Sequence, residues 1–280
     1  MKNLIIRTLT GVVYVLLLVG CTVYSPASAF FFFAIVTAAT LWEFGTLMNT
    51  RVHSNMVRPI NAMAGVVLVA AVWLSTISNP QTGKMFSLYG LLLIYIIVSE
   101  LYRHSKTPLR NWAFCFASQI YIALPFALLP TLSIVFDGEK GVFVYNWIYP
   151  LALFIFLWVN DTFAYLCGCL LQRFIPYKLF PRISPKKSWI GSIGGGIFTL
   201  AAAVVIWRLQ PGTMPLERWL GFALVVIVFG TWGDLVESLI KRQLGIKDSG
   251  KILPGHGGML DRFDSALLAI PASVIYFILT

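Results

Sequence analysis

The chain has 280 residues, of which 58% are hydrophobic and only 11% are charged, and its mean hydropathy is +0.81. This balance excludes a water-soluble globular protein, whose surface needs many more polar residues. The formal net charge of +10 suits anionic headgroups and nucleotides, but it reflects membrane topology first and indicates no nucleic-acid binding.

Apolar runs between polar breaks predict the elements in chain order, because a bilayer-spanning helix needs roughly 20 apolar residues. We predict an all-α, polytopic membrane bundle with about nine spans: Ile5 to Tyr24, Ala27 to Met48, Ile60 to Ile77, Phe86 to Tyr102, Trp112 to Phe136, Trp147 to Leu171, Trp189 to Trp207, Trp219 to Ile240 and Ser265 to Leu279. Pro125 and Pro130 interrupt the fifth span and predict either a kink or two shorter helices, because proline lacks a backbone donor.

The distribution of basic residues predicts the orientation. Most of the 21 lysines and arginines fall on inner loops if the amino terminus is cytoplasmic, as the positive-inside rule favours. Ala27-Ser28-Ala29 resembles a signal-peptidase site, but further spans follow at once, so we expect the first span to remain as an anchor. We predict one membrane domain over residues 1–280, with helices of unassigned role in 1–145 and the candidate site in 146–280.

Acidic residues inside apolar spans are costly and are therefore candidates for function. Asp161 lies in the sixth predicted span, where it either makes a polar contact between helices or approaches a cytoplasmic cavity to bind metal, substrate or a lysine. Glu43 and Glu100 lie near inner helix ends that water can reach, so we expect structural roles for both.

The inner loop after the sixth span is basic and is followed by glycines at Gly191 and Gly194 to Gly196. One interpretation is a topogenic loop whose lysines meet anionic lipids. The other is a seat for phosphate groups, in which serines and lysines stand beside the free backbone donors of a helix start. The candidate substrate-binding residues of this loop are Ser184, Lys186, Lys187 and Ser188.

The eighth span carries Asp234, Glu237, Ser238 and Lys241 at spacings that place them on one helical face. Glu237 and Lys241, four residues apart, could simply form a buried acid–base pair. Asp261 and Asp264 are three apart at the start of the ninth span and can point the same way. Together with Asp234 they would form an oxygen-rich site that suits Mg²⁺.

The segment from Gly245 to Gly258 connects these spans and is rich in glycine, which permits turns and close approach to a ligand. His256 is either a structural hydrogen-bonding residue or a group that contacts phosphate or moves a proton. Further candidates for substrate contact in and around this segment are Arg242, Lys247, Asp248, Gly257, Gly258 and Arg262.

Several stretches resemble the signature of the phosphatidate cytidylyltransferases, also called CDP-diacylglycerol synthases. They are Ser238-Leu239-Ile240-Lys241-Arg242, Lys247-Asp248, Pro254-Gly255-His256-Gly257-Gly258 and Asp261-Arg262-Phe263-Asp264. The lead-in Gly233 to Ser238, the loop Ser184 to Trp189 and Asn160-Asp161 are also similar to the family. These motifs are specific but cover a small part of the chain, and hydropathy alone supports the first five spans.

The resemblance implies a multi-pass enzyme of the bacterial inner membrane, with a cytoplasmic active site, that joins CTP and phosphatidate into CDP-diacylglycerol and releases pyrophosphate. It implies Mg²⁺, with a second cation such as K⁺, held by Asp234, Asp261 and Asp264, and it implies a homodimer. Lys241 and His256 complete the catalytic set that it indicates, and membrane lipids are further partners.

Two other classes of protein are alternatives for a chain of this composition. A transporter or channel would carry ionisable residues through the depth of the bundle, whereas here they gather at one edge beside glycine-rich loops. Another lipid-headgroup enzyme, a CDP-alcohol phosphotransferase or a lipid kinase, is the third class. The first of these is expected to carry a D-G-x-x-A-R motif, which this chain lacks.

Overall fold

The computed structural model describes residues 2–77, 79–137, 142–171, 173–174, 176–250, 252, 255 and 257–280. In this part of the chain the helices are α1 (Lys2–Tyr24), α2 (Pro26–Arg51), α3 (Arg58–Thr76), α4 (Thr82–Arg103), α5 (Pro108–Ser118), a π-helical segment (Gln119–Ala123), α6 (Leu124–Ser133), α7 (Ile148–Leu171), α8 (Trp189–Leu209), α9 (Leu216–Gln243) and α10 (Leu260–Leu279). Four short strands, β1 (Ile134–Asp137), β2 (Val142–Tyr145), β3 (Lys178–Phe180) and β4 (Ser184–Ser188), form two antiparallel pairs, β1 with β2 and β3 with β4.

The helices confirm the prediction of an all-α, multi-pass membrane protein. Over the described ranges, eight segments are long and apolar enough to cross a bilayer: α2, α3, α4, the run from α5 to α6, α7, α8, α9 and α10. Each overlaps one predicted span, with ends that differ by a few residues. The first predicted span, Ile5 to Tyr24, coincides with α1.

The fifth predicted span differs most from its expectation. It begins at Pro108, passes through the π-helical segment and ends at Ser133. The π-helical segment directly precedes Pro125, which lies in the first turn of α6, where a missing backbone donor costs little. Residues 134–136 were predicted as helix, and this was wrong because they pair with β2 instead.

The chain divides into two compact units. Unit 1 holds Met1–Trp147 and Ile246–Phe263, and unit 2 holds Ile148–Gly245 and Asp264–Thr280. In unit 1, α3 packs against α2, α4 and α6 around a buried core, and the ring of Phe126 meets that of Phe263 edge-on at 5.2 Å. The predicted division at residue 145 stays a prediction.

Unit 2 depends on a close approach of α7 and α8. A Cβ atom on Gly191 would lie 2.6 Å from the carbonyl oxygen of Ala164, and one on Gly195 would lie 2.6 Å from that of Asn160. Small residues commonly allow such contact between helices in membranes. The glycines after the basic loop therefore hold the start of α8 against the turn of α7 that carries Asp161.

Candidate active site

The basic loop of unit 2 is ordered by its own strand pairing and by a helix cap. In the β3–β4 pair, Lys178 stands opposite Ser188. Ser188 is buried, and its Oγ accepts a hydrogen bond of 3.2 Å from the Gly191 amide at the start of α8. The helix start beside this serine agrees with the phosphate-seat interpretation, and the predicted contact of Ser188 with substrate stays a prediction.

An ion pair joins the basic loop to α9. The Lys187 Nζ lies 2.5 Å from Asp234 Oδ2, and both side chains are about one quarter exposed. On its other side, Asp234 Oδ1 accepts a hydrogen bond of 3.1 Å from Ser238 Oγ. Two predicted site residues that are distant in sequence are thus brought together within one unit.

Three helices of unit 2 contribute the carboxylates that we call the unit 2 acids: Asp161 of α7, Asp234 of α9 and Asp264 of α10. Asp234 and Asp161 act electrostatically on Asp264, and Lys241 opposes them. The Ser265 amide donates a hydrogen bond of 2.6 Å to Asp264 Oδ1. Like charges repel one another, so such a group favours a bound cation or a cationic side chain nearby.

Lys241 is held by a carboxylate on its own helix. It forms an ion pair with Glu237, which is fully buried, while the lysine side chain is 17% exposed. The acid–base pair that the spacing of four predicts is therefore present. Lys241 is fixed in place, and its charge also acts on Asp264.

A second acidic group, in unit 1, ties down the glycine-rich segment; we call Glu43, Ser249 and Asp261 the loop anchor. Asp261 Oδ2 accepts hydrogen bonds from the Ser249 amide at 2.8 Å and the Gly258 amide at 2.7 Å, and it lies 2.9 Å from the Ser249 hydroxyl oxygen. These bonds fix two points of the segment onto the first turn of α10.

Glu43 of α2 holds the same segment from a distant part of the chain. Its Oε1 accepts from the Ser249 hydroxyl at 2.5 Å and from the Leu260 amide at 3.1 Å, and its Oε2 accepts from the Met259 amide at 2.9 Å. The prediction that water reaches Glu43 and Glu100 was wrong, because they are 5% and 7% exposed.

Sequence reasoning assigned no specific partner to Glu43 and did not single out Ser249. The available signal was an acid inside an apolar span, which marks a candidate without naming its partner.

The structure places the other predicted residues as follows. Lys186, Arg242, Lys247, Asp248, Arg262 and Asp161 are exposed, Ser184 and Gly257 are partly buried, Gly258 is buried, and His256 lies outside the described residues. Arg242 Nε donates a hydrogen bond of 3.3 Å to the carbonyl oxygen of Ile183, beside the basic loop.

Within the described ranges, no group of three or more His, Cys, Asp or Glu side chains is arranged to bind a metal ion. This arrangement still fits Mg²⁺, which is usually bound by one or two carboxylates and completes its shell with water and substrate phosphates. The assignment of Asp234, Asp261 and Asp264 as metal ligands stays a prediction.

Comparison with known proteins places the whole chain in one group. The profile described as "Cytidylyltransferase family" matches residues 5–280. The phosphatidate cytidylyltransferase of Staphylococcus haemolyticus is 32% identical over 277 residues, covering 95% of this chain and 96% of the relative. The proteins of the same name from Staphylococcus aureus strain COL and Staphylococcus epidermidis are 31% and 30% identical, over 95% and 98% of this chain and 96% and 99% of their own lengths.

Proposed function

This chain belongs to the cytidylyltransferase family, and we propose that the unit 2 acids and the basic loop beside them carry the chemistry of the family. The activity is the transfer of a cytidylyl group from CTP to phosphatidate, which gives CDP-diacylglycerol and pyrophosphate for phospholipid biosynthesis. The observation that carries the assignment of residues is the ion pair between Lys187 and Asp234. The neighbouring Gly233 packs against α10 so closely that a Cβ atom on it would lie 2.6 Å from the carbonyl oxygen of Asp264.

The reaction joins two anions, so its main physical demand is neutralisation of charge. A phosphate oxygen of phosphatidate attacks the α-phosphorus of CTP, the bond from that phosphorus to the bridging oxygen breaks, and pyrophosphate leaves. No covalent intermediate on the protein is needed for this displacement. Positioning and electrostatic stabilisation therefore account for most of the catalysis that the protein must provide.

We assign Mg²⁺ to Asp234 and Asp264, because carboxylate oxygens are its preferred protein ligands and the charge of Asp234 acts on Asp264. When bound, the ion neutralises phosphate charge and polarises phosphoryl oxygens. We also propose a second cation such as K⁺, because the unit 2 acids carry an excess of negative charge. The metal-ligand role of Asp261 remains a prediction from the sequence.

Basic side chains supply the remaining positive charge. Lys187 already neutralises Asp234, and the exposed side chains of Lys186 and Arg242 are available to bind phosphate oxygens. Arginine can hold two such oxygens at once, whereas lysine acts as a point charge. Lys241, Lys247, Asp248, Arg262 and His256 keep their sequence-based assignments as predictions.

The substrates and the basic residues together suggest the setting of the enzyme. We propose a bacterial inner (cytoplasmic) membrane location, with the amino terminus and the active site on the cytoplasmic side, because CTP is a soluble nucleotide and basic loops favour that side. The acyl chains of phosphatidate then stay in the bilayer while its headgroup meets the nucleotide. The homodimer implied by the family resemblance stays a prediction.

A reconstitution assay tests the proposal. Purified protein supplied with phosphatidate, CTP and Mg²⁺ should form CDP-diacylglycerol and pyrophosphate in equal amounts. Replacement of CTP by ATP, or addition of EDTA, should remove both products. Ion flux in proteoliposomes without any nucleotide turnover would instead establish a transporter and overturn the assignment.

A further inference from the structure

We propose that Glu43 is a positioning residue for the cytidylyl transfer: it fixes the glycine-rich segment and the first turn of α10, and through them the carboxylate of Asp261. This inference rests on the proposed function, since it concerns how the enzyme prepares its site. Glu43 lies in α2, within the half of the chain to which the sequence assigned no role.

Glu43 accepts hydrogen bonds from backbone amides at the start of α10. Amides at a helix start lack partners within the helix. Glu43 accepts from the amides of Met259 and Leu260, immediately before and at the first residue of α10. A carboxylate at this end is also favoured by the helix dipole. A side chain from a distant helix thus performs the task of an N-cap and sets where α10 begins.

Glu43 is coupled to Asp261 through one hydroxyl group. Ser249 Oγ lies 2.5 Å from Glu43 Oε1 and 2.9 Å from Asp261 Oδ2, and Ser249 is buried. The hydroxyl carries one proton, which it can donate to only one of the two carboxylates at a time, so the positions of both carboxylates depend on the same group. A displacement of the Glu43 carboxylate therefore reaches Asp261 directly.

The Glu43 carboxylate also explains two glycines of the segment. A Cβ atom on Gly250 would collide with Glu43 Oε2, and one on Gly258 would collide with Glu43 Oε1. The backbone of the segment approaches the carboxylate so closely that any side chain there would displace it. The need for glycine at these two positions follows from an acid that lies far outside the glycine-rich stretch.

Glu100 offers a matched control for substitution of Glu43. It is also a buried glutamate of unit 1, but its Oε1 is paired with Arg103 at 2.8 Å and its Oε2 accepts from Asn111 at 2.9 Å. Glu43→Gln and Glu100→Gln therefore remove the same charge from similarly buried positions of one unit. They differ in whether the glycine-rich segment loses its partner.

The first experiment measures turnover and hydrogen exchange on the full-length protein. Glu43→Gln should lower kcat by about 100-fold, the usual effect of a small misplacement of catalytic groups, with a smaller change in the KM for CTP. Exchange of peptides covering residues 246–262 should accelerate in this variant. Glu100→Gln should leave both quantities near the wild-type values, and Glu43→Asp should recover part of the lost kcat.

The second experiment is a double-mutant cycle between Glu43→Ala and Gly250→Ala. Gly250→Ala alone should reduce kcat because its methyl group meets the carboxylate, and it should cause little further loss in the Glu43→Ala background. Additive losses would overturn the proposed contact.

The two proposals fail in different ways. Wild-type protein without CTP-dependent turnover would refute the proposed function, while the exchange comparison would still judge the role of Glu43. Active wild type with Glu43→Gln and Glu100→Gln equal in turnover and exchange would refute the positioning role alone.

Discussion

The two acidic groups of this protein differ in what holds their oxygens. In the loop anchor of unit 1, Asp261 and Glu43 accept hydrogen bonds from four backbone amides and one buried serine. Among the unit 2 acids, Asp234 is held by a lysine ammonium and a serine hydroxyl, and Asp264 is repelled by its acidic neighbours. The loop anchor therefore stabilises the local fold, whereas the unit 2 acids can exchange their partners for a ligand.

The magnitudes support this distinction. A hydrogen bond to a charged acceptor contributes about 1.5–3 kcal/mol, and Asp261 Oδ2 accepts two from backbone amides. A partly exposed ion pair such as Lys187 with Asp234 contributes only about 0–1 kcal/mol. Binding of a metal ion or nucleotide can displace the second easily, whereas displacing the first requires the glycine-rich segment to move.

The largest expected effect is that of Asp234→Asn, which tests whether the unit 2 acids are the reactive group. The substitution removes a proposed metal ligand and a charge, while an oxygen remains to accept from Ser238. We expect kcat/KM to fall about 1,000-fold, the upper range for loss of one preorganised electrostatic group. Steady-state assays over a range of Mg²⁺ concentrations measure it.

Glu217→Gln is the matched control, because Glu217 is an exposed acid in the first turn of the same helix. It should retain wild-type turnover. An Asp234→Asn enzyme within tenfold of the wild type at ordinary Mg²⁺ would remove Asp234 from the metal site.

Substitution of Asp261 tests the loop anchor, because the sequence predicts that Asp261 is a metal ligand and the structure adds an anchoring role. Asp261→Asn keeps an oxygen that can accept from Ser249 and Gly258, so hydrogen exchange of the segment should change little. Loss of the charge should still lower the rate of Mg²⁺-dependent product formation about 1,000-fold.

Asp261→Ala should lose turnover and also accelerate exchange over residues 246–262, because both the charge and the acceptor disappear. Full activity in the Asp261→Asn protein would reject the metal role and leave only the anchor.

Lys187→Ala is expected to have an intermediate effect. The ammonium that meets Asp234 is lost, and with it a charge available to phosphate, so kcat/KM for CTP should fall about 10- to 100-fold, corresponding to one charged hydrogen bond. Lys187→Arg should restore part of the activity because the charge remains. Lys84→Ala, at an exposed lysine of α4, serves as the control that should be neutral; equal activity of the Lys187→Ala and Lys84→Ala proteins would contradict the assignment.

The sequence predicted those features that depend on local patterns. Apolar runs located the spans, and a spacing of four predicted the pair of Glu237 with Lys241. Contacts over long sequence separations could not be predicted in this way. No periodicity connects Glu43 with Met259, or Lys187 with Asp234, because those pairs are set by helix packing. The π-helical segment was also missed, since nothing in an apolar run distinguishes the wider turn.

The smallest expected effect is that of Ser188→Ala. This substitution tests whether Ser188 stabilises the basic loop or binds substrate. Ser188 caps α8, and its Oγ would lie only 3.4 Å from a Cβ placed on Gly168, so it is packed between α7 and α8. Loss of an N-cap costs about 1 kcal/mol. We expect the midpoint of thermal inactivation in detergent to fall by a few degrees, while kcat/KM changes by less than tenfold.

Ser188→Thr should keep the cap and the stability, and Ser184→Ala, at a partly buried serine of the same strand, should leave the inactivation midpoint unchanged. A loss of turnover in the Ser188→Ala protein as large as that of Lys187→Ala, with unchanged stability, would mean that Ser188 contacts substrate directly. The basic loop would then bind phosphate through its hydroxyl groups as well as its lysines. Ser188 would both cap α8 and bind substrate.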